Sequence, residues 1–436
     1  MIRKFGEGRL VLRVGIAIGL CAAVAPAFVG SAIGAIGRER ILAPAPTVLG
    51  TAPAATGEGK GEGDAEAQET RGILHHLGLT VPRNYAEAAR LYRKAADQGR
   101  PSAQYLLGTM YEAGHGVPRD AAEALRWFRK AAERGEPAAQ FKMGLMYDKG
   151  LAVRQDHAEA ARWYREGAER GNVDAQSSLA AMYYAGRGVE RDYAQAMEWF
   201  GRAADRGDGT AQYNLGVMNE AGQGAPRDDA KAFERYLGAA GTGDAAAAFK
   251  VGLMYASGRG IARDDAAAAR WYRKSAEAGN VDAQFNLASM YYGGQGVAKS
   301  YGLAMHWFLM AADRGDGAAR FNIGVMHELG QGVQADPTEA ARWYAQAADQ
   351  GNAPARSNLA TMYEQGRGVP RDYVRAYLWF GLAAAACDDA ECRRRATSHR
   401  DDMAGRMTAA QIDEAERLGR EWHHRRQAGA SSASRL

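Results

Sequence analysis

Seven of the eight tryptophans, Trp127, Trp163, Trp199, Trp271, Trp307, Trp343 and Trp379, fall on a single 36-residue lattice whose vacant points are held by Leu91 and Arg235. No insertion or deletion breaks the register. A chain with such a period is a tandem array of one supersecondary unit, so the usual division of 436 residues into two or three globular domains does not apply. The same lattice accounts for 54 glycines against 12 prolines, a ratio out of line for a chain that is 47% apolar unless glycine recurs for a backbone reason.

Each period reads as two helices. In the unit from Pro101 to Gly135, Ala103, Leu107, Met110 and Tyr111 mark one helical face, and Ala124, Trp127, Phe128, Ala131 and Ala132 mark a second. Glycines such as Gly78, Gly114, Gly150 and Gly186 stand where the first helix must stop in a left-handed cap. Six residues later comes an acceptor side chain, Asn84, Asp120, Asp156, Asp192, Asp228, Asp264, Ser300, Asp336 or Asp372, placed to cap the next helix. Glu87, Glu123, Glu159 and Glu339 are expected to close capping boxes, with Pro337 in the first helical position. Small residues such as Gly108, Gly144 and Ala180 are expected to let neighbouring helices approach closely. The unit around Arg235, with Asn219 in the usual tyrosine place, is expected to be the least tightly packed, so residues 211–246 should open first. Residues 139–246 and 247–354 resemble each other at a spacing of 108, which reads as a duplicated three-repeat block.

The ends differ from the array. Arg3, Lys4, Arg9 and Arg13 precede an uncharged apolar run from Val14 to Gly37, so residues 1–37 read as a signal peptide or a membrane anchor. In either case the charge bias places the rest of the chain across the membrane, in the periplasm or anchored to the inner membrane facing it. Residues 38–70 read as a disordered linker, 71–386 as the array, 387–424 as a C-terminal cap and 425–436 as a disordered tail. A formal charge of +4, from 55 basic and 51 acidic residues, argues against nucleic acid as a partner. Of three cysteines, Cys387 and Cys392 bracket the turn into the cap; they form either a small disulfide or two free thiols.

The string A-x-x-x-L/M-G/A-x-x-Y-x-x-G-x-G-V-x-x-D-x-x-x-A-x-x-W-Y/F-x-x-A-A, seen from Ala103 to Ala132, resembles the Sel-one-like repeat, a relative of the tetratricopeptide repeat. The resemblance implies an all-α fold: a right-handed α/α superhelical solenoid of about nine repeats plus a capping helix, with first helices lining a concave face. Met407 to Trp422 resembles that capping helix, with Thr408 and Gln411 as its capping box.

No chemistry stands out against this frame. The periodic aspartates are explained by capping, and helices 8–10 Å or so apart keep them from pairing. No HExxH, paired CxxC, Ser-x-x-Lys, Gly-x-Ser-x-Gly or complete phosphate-loop motif is present, so no metal, no cofactor and no catalytic residue is expected. Positions similar to those that approach the groove in relatives carry an aromatic row, Tyr105, Phe141, Tyr213, Phe249, Phe285 and Phe321. Beside it runs a polar row, Lys142, Asn214, Lys250, Asn286, Asn322 and Asn358. Rings for apolar contact and amides for a peptide backbone make these rows the expected binding groove, unless they serve inter-repeat packing and ordinary solvated surface. The expected function is a non-enzymatic scaffold or adaptor in the bacterial cell envelope that recruits protein or peptide partners. The alternatives are a periplasmic regulator holding a membrane sensor inactive, and an envelope hydrolase or glycan-binding protein.

Overall fold

The computed structural model describes residues 64–433, with side-chain surroundings through Arg425. The apolar run Val14–Gly37, the linker before Asp64 and the last three residues lie outside these described residues. Those described fall into two compact bodies, divided after Asp244. Among them are twenty helices and no strand.

The first body is five helical hairpins: α1 (Ala65–Leu77) with α2 (Tyr85–Asp97), α3 (Pro101–Ala113) with α4 (Ala121–Glu133), α5 (Pro137–Lys149) with α6 (His157–Glu169), α7 (Val173–Ala185) with α8 (Tyr193–Ala204), and α9 (Gly209–Ala221) with α10 (Asp229–Gly241). In the second body α11 (Ala245–Ser257) pairs with α12 (Asp265–Glu277), α13 (Val281–Gly293) with α14 (Tyr301–Asp313), α15 (Gly317–Leu329) with α16 (Pro337–Asp349), and α17 (Ala353–Gln365) with α18 (Tyr373–Ala386). It ends in α19 (Ala390–Ala404) and α20 (Ala409–Ala433). Within each body the helices through α19 pack one on the next in chain order, as stacked hairpins of an all-α solenoid do, and α20 packs back on α18.

Second helices begin where the acceptors predict. Asp120 Oδ1 accepts from the amides of Ala122 and Glu123, at 2.9 and 3.0 Å, and Asp156, Asp192 and Asp336 cap their helices in the same way. The expected capping boxes are not formed. Arg126 donates to the Glu123 carboxylate at 2.8 Å and Arg342 to Glu339 at 3.1 Å, with Arg90–Glu87 and Arg162–Glu159 alike. The cap amides are already taken, since that of Asp120 donates to the Tyr111 carbonyl and that of Asp156 to the Tyr147 carbonyl, each at 3.0 Å, so the glutamate pairs with the arginine one helical turn on. The reciprocal box does form at Thr408, whose amide donates to Gln411 Oε1 at 2.9 Å while the Gln411 amide donates back to Thr408 Oγ1 at 3.3 Å. No arginine follows at the third position there.

The small residues act as expected. A Cβ on Gly108 would lie 2.7 Å from the Phe128 ring, and one on Gly144 2.4 Å from the Tyr164 ring, so an aromatic from the second helix seats directly on the first-helix backbone. The lattice tryptophans of the first body close these clusters: Trp127, Trp163 and Trp199 are each 6% exposed. Trp271, Trp307, Trp343 and Trp379 in the second body are only half-buried. At the vacant point Arg235, Phe233 and Tyr236 are buried instead, and the Asn219 amide donates to the Leu215 carbonyl at 2.8 Å.

One loop breaks its own rule. The second glycine of the inter-helix loop, for example Gly188 with φ +71°, has left-handed backbone; Ala152 holds that position in the α5–α6 loop with φ +57°. A Cβ in this region is strained by about 1 kcal/mol or more. Ala152→Gly is therefore expected to raise stability by about 0.5–1 kcal/mol after the larger chain entropy of glycine is subtracted, read as a higher urea midpoint for the α5–α8 region.

Two boundaries differ from the sequence reading. The first helix starts at Ala65, with Asp64 as its cap, so the end of the expected linker belongs to the array. Glu66, Gln68 and Glu69 hide its apolar period, yet Gln68 and Glu69 are each 6% exposed, held by partners such as Gln98 and Arg100. The last helix extends to Ala433, well into the expected tail. The C-terminal pair is fastened at three points. Cys387 and Cys392 are joined by a disulfide across the α18–α19 turn, with Cα atoms 5.7 Å apart. Trp422 packs edge-on to Trp379, its ring centroid 6.3 Å away, and donates its indole N–H to Asp349 at 3.2 Å. The Arg356 guanidinium lies 4.7 Å from the Trp422 ring centroid.

Candidate functional site

The first-helix face of the stacked hairpins carries the two expected rows, and the structure shows what each side chain touches. Every aromatic of the first row meets a ring from the second helix of its own repeat. Centroid separations are 5.8 Å for Tyr105–Phe128 and Phe141–Tyr164, 5.5 Å for Tyr213–Tyr236, 5.8 Å for Phe249–Tyr272, 5.5 Å for Phe285–Phe308 and 5.7 Å for Phe321–Tyr344. Phe285 is 0% exposed and Phe321 3%, so these two cannot offer a ring to a partner, a correction to the expected groove. Tyr105, Phe141, Tyr213 and Phe249 keep one edge open. Burial, with nearby carboxylates adding to it, pushes the hydroxyls of Tyr105 and Tyr213 up to about 12, which keeps them neutral donors at any physiological pH.

The polar row is largely committed as well. Its members follow a second-helix aromatic by 14 residues. Asn286, Asn358 and Ser178, which share one lattice position, lie near the hydroxyls of Tyr272, Tyr344 and Tyr164, and they oppose the upward push that burial gives those hydroxyls. Lys142 forms an ion pair with Glu112 at 2.6 Å and lies 5.8 Å from the Phe128 ring centroid. Asn322 departs from the pattern. Phe308 takes the tyrosine place, and Asn322, 0% exposed, has neither amide atom hydrogen-bonded. It is sealed from any ligand, which again corrects the expectation of a continuous amide ladder. Asn214 and Lys250 remain half-buried.

Two functional rows escaped the sequence reading. The first is a glutamine clamp: Gln104, Gln140, Gln176 and Gln212 in the first body, and Gln284 in the second, each donate to a carbonyl at the end of the preceding helix, at 3.0 Å for Gln104 to Ala96 and 3.1 Å for Gln284 to Ala276. Arg320 and Arg356 replace them with donors to Ala312 and Ala348 at 3.1 and 3.0 Å. The recurring Ala-Gln pair at repeat spacing was the available signal.

The second row is acidic and edges the face at the last turn of the first helices: Glu112, Asp148 and Glu220 in one body, Glu328 and Glu364 in the other. Asp148 is 3% exposed and gathers His157 at 3.1 Å, Arg187 at 3.2 Å and Lys149 at 3.6 Å. Beside it a cavity of about 20 Å³, lined by Leu145, Asp148, Tyr164, Ser178, Ala181, Met182 and Arg187, has room for one water. Glu220 accepts from the Tyr236 hydroxyl at 2.6 Å, Glu328 from that of Tyr344 at 2.5 Å, and Glu364 pairs with Arg406 at 3.5 Å. Glu112, Asp148 and Glu364 thus tie their repeat to the element that follows it, Glu220 and Glu328 hold the tyrosine of their own hairpin, and what the face offers a partner is shape with an acidic edge. Among the described residues, no group of three or more His, Cys, Asp or Glu side chains could hold a metal ion. An open concavity of about 570 Å³ lies along α19 between Arg393, Arg394, Thr397, Ser398, Asp401 and Asp402, on the flank of a single helix.

Comparison with known proteins agrees with this architecture. The Sel1 repeat matches residues 65–99, 101–136, 137–172, 173–208, 209–234, 245–280, 281–316, 317–352 and 353–386. A solved structure of c5321, described as a protective antigen present in uropathogenic Escherichia coli strains displaying an SLR fold, is 35% identical, covers 82% of this chain and 84% of its own, and superposes with a TM-score of 0.58. A Sel1 repeat protein from Oxalobacter formigenes is 34% identical over 71% of this chain and 89% of its own, with a TM-score of 0.55. No curated protein matches the chain.

Proposed function

Because the chain belongs to the Sel1 repeat family, whose members generally act as protein-interaction scaffolds, we propose that it recruits protein partners in the bacterial cell envelope along the first-helix face of its repeats. One observation carries the choice of face. Tyr105, Phe141, Leu145, Tyr213 and Asn214, with Glu112 and Glu220, are all half-buried on first helices, so from α3 to α9 these helices carry partly open apolar side chains, an amide and carboxylates. Such a surface fits an extended peptide whose backbone bonds the amide and whose cations meet the acidic edge. Export is inferred from the charge and apolar pattern of residues 1–37.

A photo-crosslinking amino acid at Leu145 or Asn214, both on the first-helix face, tests the proposal in the producing cell, with Arg126 on the outer face of α4 as comparison. The expected result is a discrete adduct with an envelope protein at the first two positions and none at the third. Adducts arising only from position 126 would overturn the assignment of the face, and adducts with cytoplasmic proteins would overturn the location.

A further inference from the structure

The outer face of the second helices carries a recurring charge pattern. In α6 it reads half-buried Glu159 and exposed Arg162 and Arg165, and an arginine or lysine commonly shields the lattice tryptophan, as Lys130 does at 4.2 Å from the Trp127 ring centroid and Arg202 at 4.4 Å from that of Trp199. In α14 every one of these charges is gone. Leu303, His306 and Leu309 replace the Glu-Arg-Arg set, and Met310 replaces the shielding cation over Trp307. Leu303 is 45% exposed, Leu309 36% and Met310 38%, and Trp307 is half-buried with His306 edge-on to it at 5.1 Å. Leu303, Trp307 and Met310, at i, i+4 and i+7, share one face of α14, with His306 and Leu309 along its flank, so these side chains form one apolar patch, the ridge of this helix.

The rim of the ridge is basic. Arg314, at the C-terminal end of α14, donates to the Gly279 carbonyl at 2.8 Å and so fixes the end of α12 beside it. That helix brings Arg270, Arg273 and Lys274 on its exposed side, and Lys299 precedes α14 at its other end. Glu277 and Asp313 offset only part of this charge, and Arg342 on α16 is neutralised by Glu339 at 3.1 Å. Three side chains, each less than half exposed, uncover far less than the roughly 800 Å² per partner that a stable dimer buries. Aliphatic side chains and a tryptophan inside a cationic rim are what an anionic lipid surface takes up at its headgroup–acyl boundary.

We propose that α14 is a peripheral membrane-docking site that lays Leu303, Leu309, Met310 and the edge of Trp307 into an anionic phospholipid surface. It is built from second-helix residues, none of which belongs to the rows assigned to partner binding. Oxidation of Met310 by dilute peroxide, followed by mass spectrometry on the full chain, reads contact at this ridge alone, whatever the N-terminal segment does. Vesicles of phosphatidylglycerol and phosphatidylcholine are expected to slow sulfoxide formation at Met310 several-fold, and vesicles of phosphatidylcholine alone to leave it unchanged. The double variant Leu303→Glu/Leu309→Arg, which restores residue types found at these positions in α6, is expected to abolish the protection without loss of helicity. Equal oxidation with and without anionic vesicles would overturn the proposal. So would protection that rises with protein concentration in the absence of lipid, which would assign the ridge to a second copy of the chain.

Discussion

Gly188→Val is expected to cost about 3–5 kcal/mol and to unravel the contact between α6 and the α7–α8 loop. Two independent terms add. At φ +71° a β-branched residue is held in the left-handed region, and its Cβ would stand 2.1 Å from the His157 carbonyl oxygen, a backbone atom that cannot swing aside. Ala152, with φ +57°, shows that a single methyl can be seated at the equivalent loop position, so Gly188→Ala should lose much less than the valine variant. Gly201→Ala is the matched control: nothing lies within 4 Å of its Cβ inside α8, and a small gain of about 0.5–1 kcal/mol is expected from helix entropy. Stacked repeats do not melt as one unit. Amide exchange across residues 157–208 is therefore the measurement, and unchanged protection in Gly188→Val would refute the packing described here.

Trp127→Ala is expected to cost about 3–5 kcal/mol, whereas Trp307→Ala should cost distinctly less. The two tryptophans are equivalent in the lattice and not in the fold. Trp127 is 6% exposed and belongs to the cluster of Tyr92, Ala103, Leu107 and Met110, so truncation leaves a cavity walled by two repeats. Trp307 is half-buried with no cation above it, and solvent reaches the space it would vacate. Amide exchange across the repeat that holds each tryptophan separates the cases; equal losses of protection would mean that lattice position, not burial, governs the energetics.

Much of the fold was legible because its signals are local. An aspartate such as Asp120 reaches amides two and three residues away, and a glycine such as Gly114 ends the helix it directly follows, so both can be read without knowing the stack. The fates of Glu123 and Glu159 were not legible, since the carbonyls that take their cap amides, those of Tyr111 and Tyr147, belong to the preceding helix and come close only once the hairpin has closed. The site was harder still. Phe285, Asn286 and Asn322 look like consecutive entries in two exposed rows, but their exposure depends on which residue of the preceding repeat lies against them. The relevant spacings, such as 14 between Tyr272 and Asn286 or 18 between Arg165 and Tyr183, have no meaning in an isolated hairpin. Asn322 shows the consequence, since its missing partner is a property of Phe308.

These spacings bear on how such a chain can be cut and joined. The bonds Arg93–Tyr111, Arg129–Tyr147, Arg165–Tyr183 and Arg273–Tyr291 all run from the second helix of one repeat to the first helix of the following one. Splices placed inside the loops at Gly186 or Gly294 would keep each arginine with its tyrosine but part ring pairs such as Tyr105 with Phe128, whereas splices between hairpins would do the reverse.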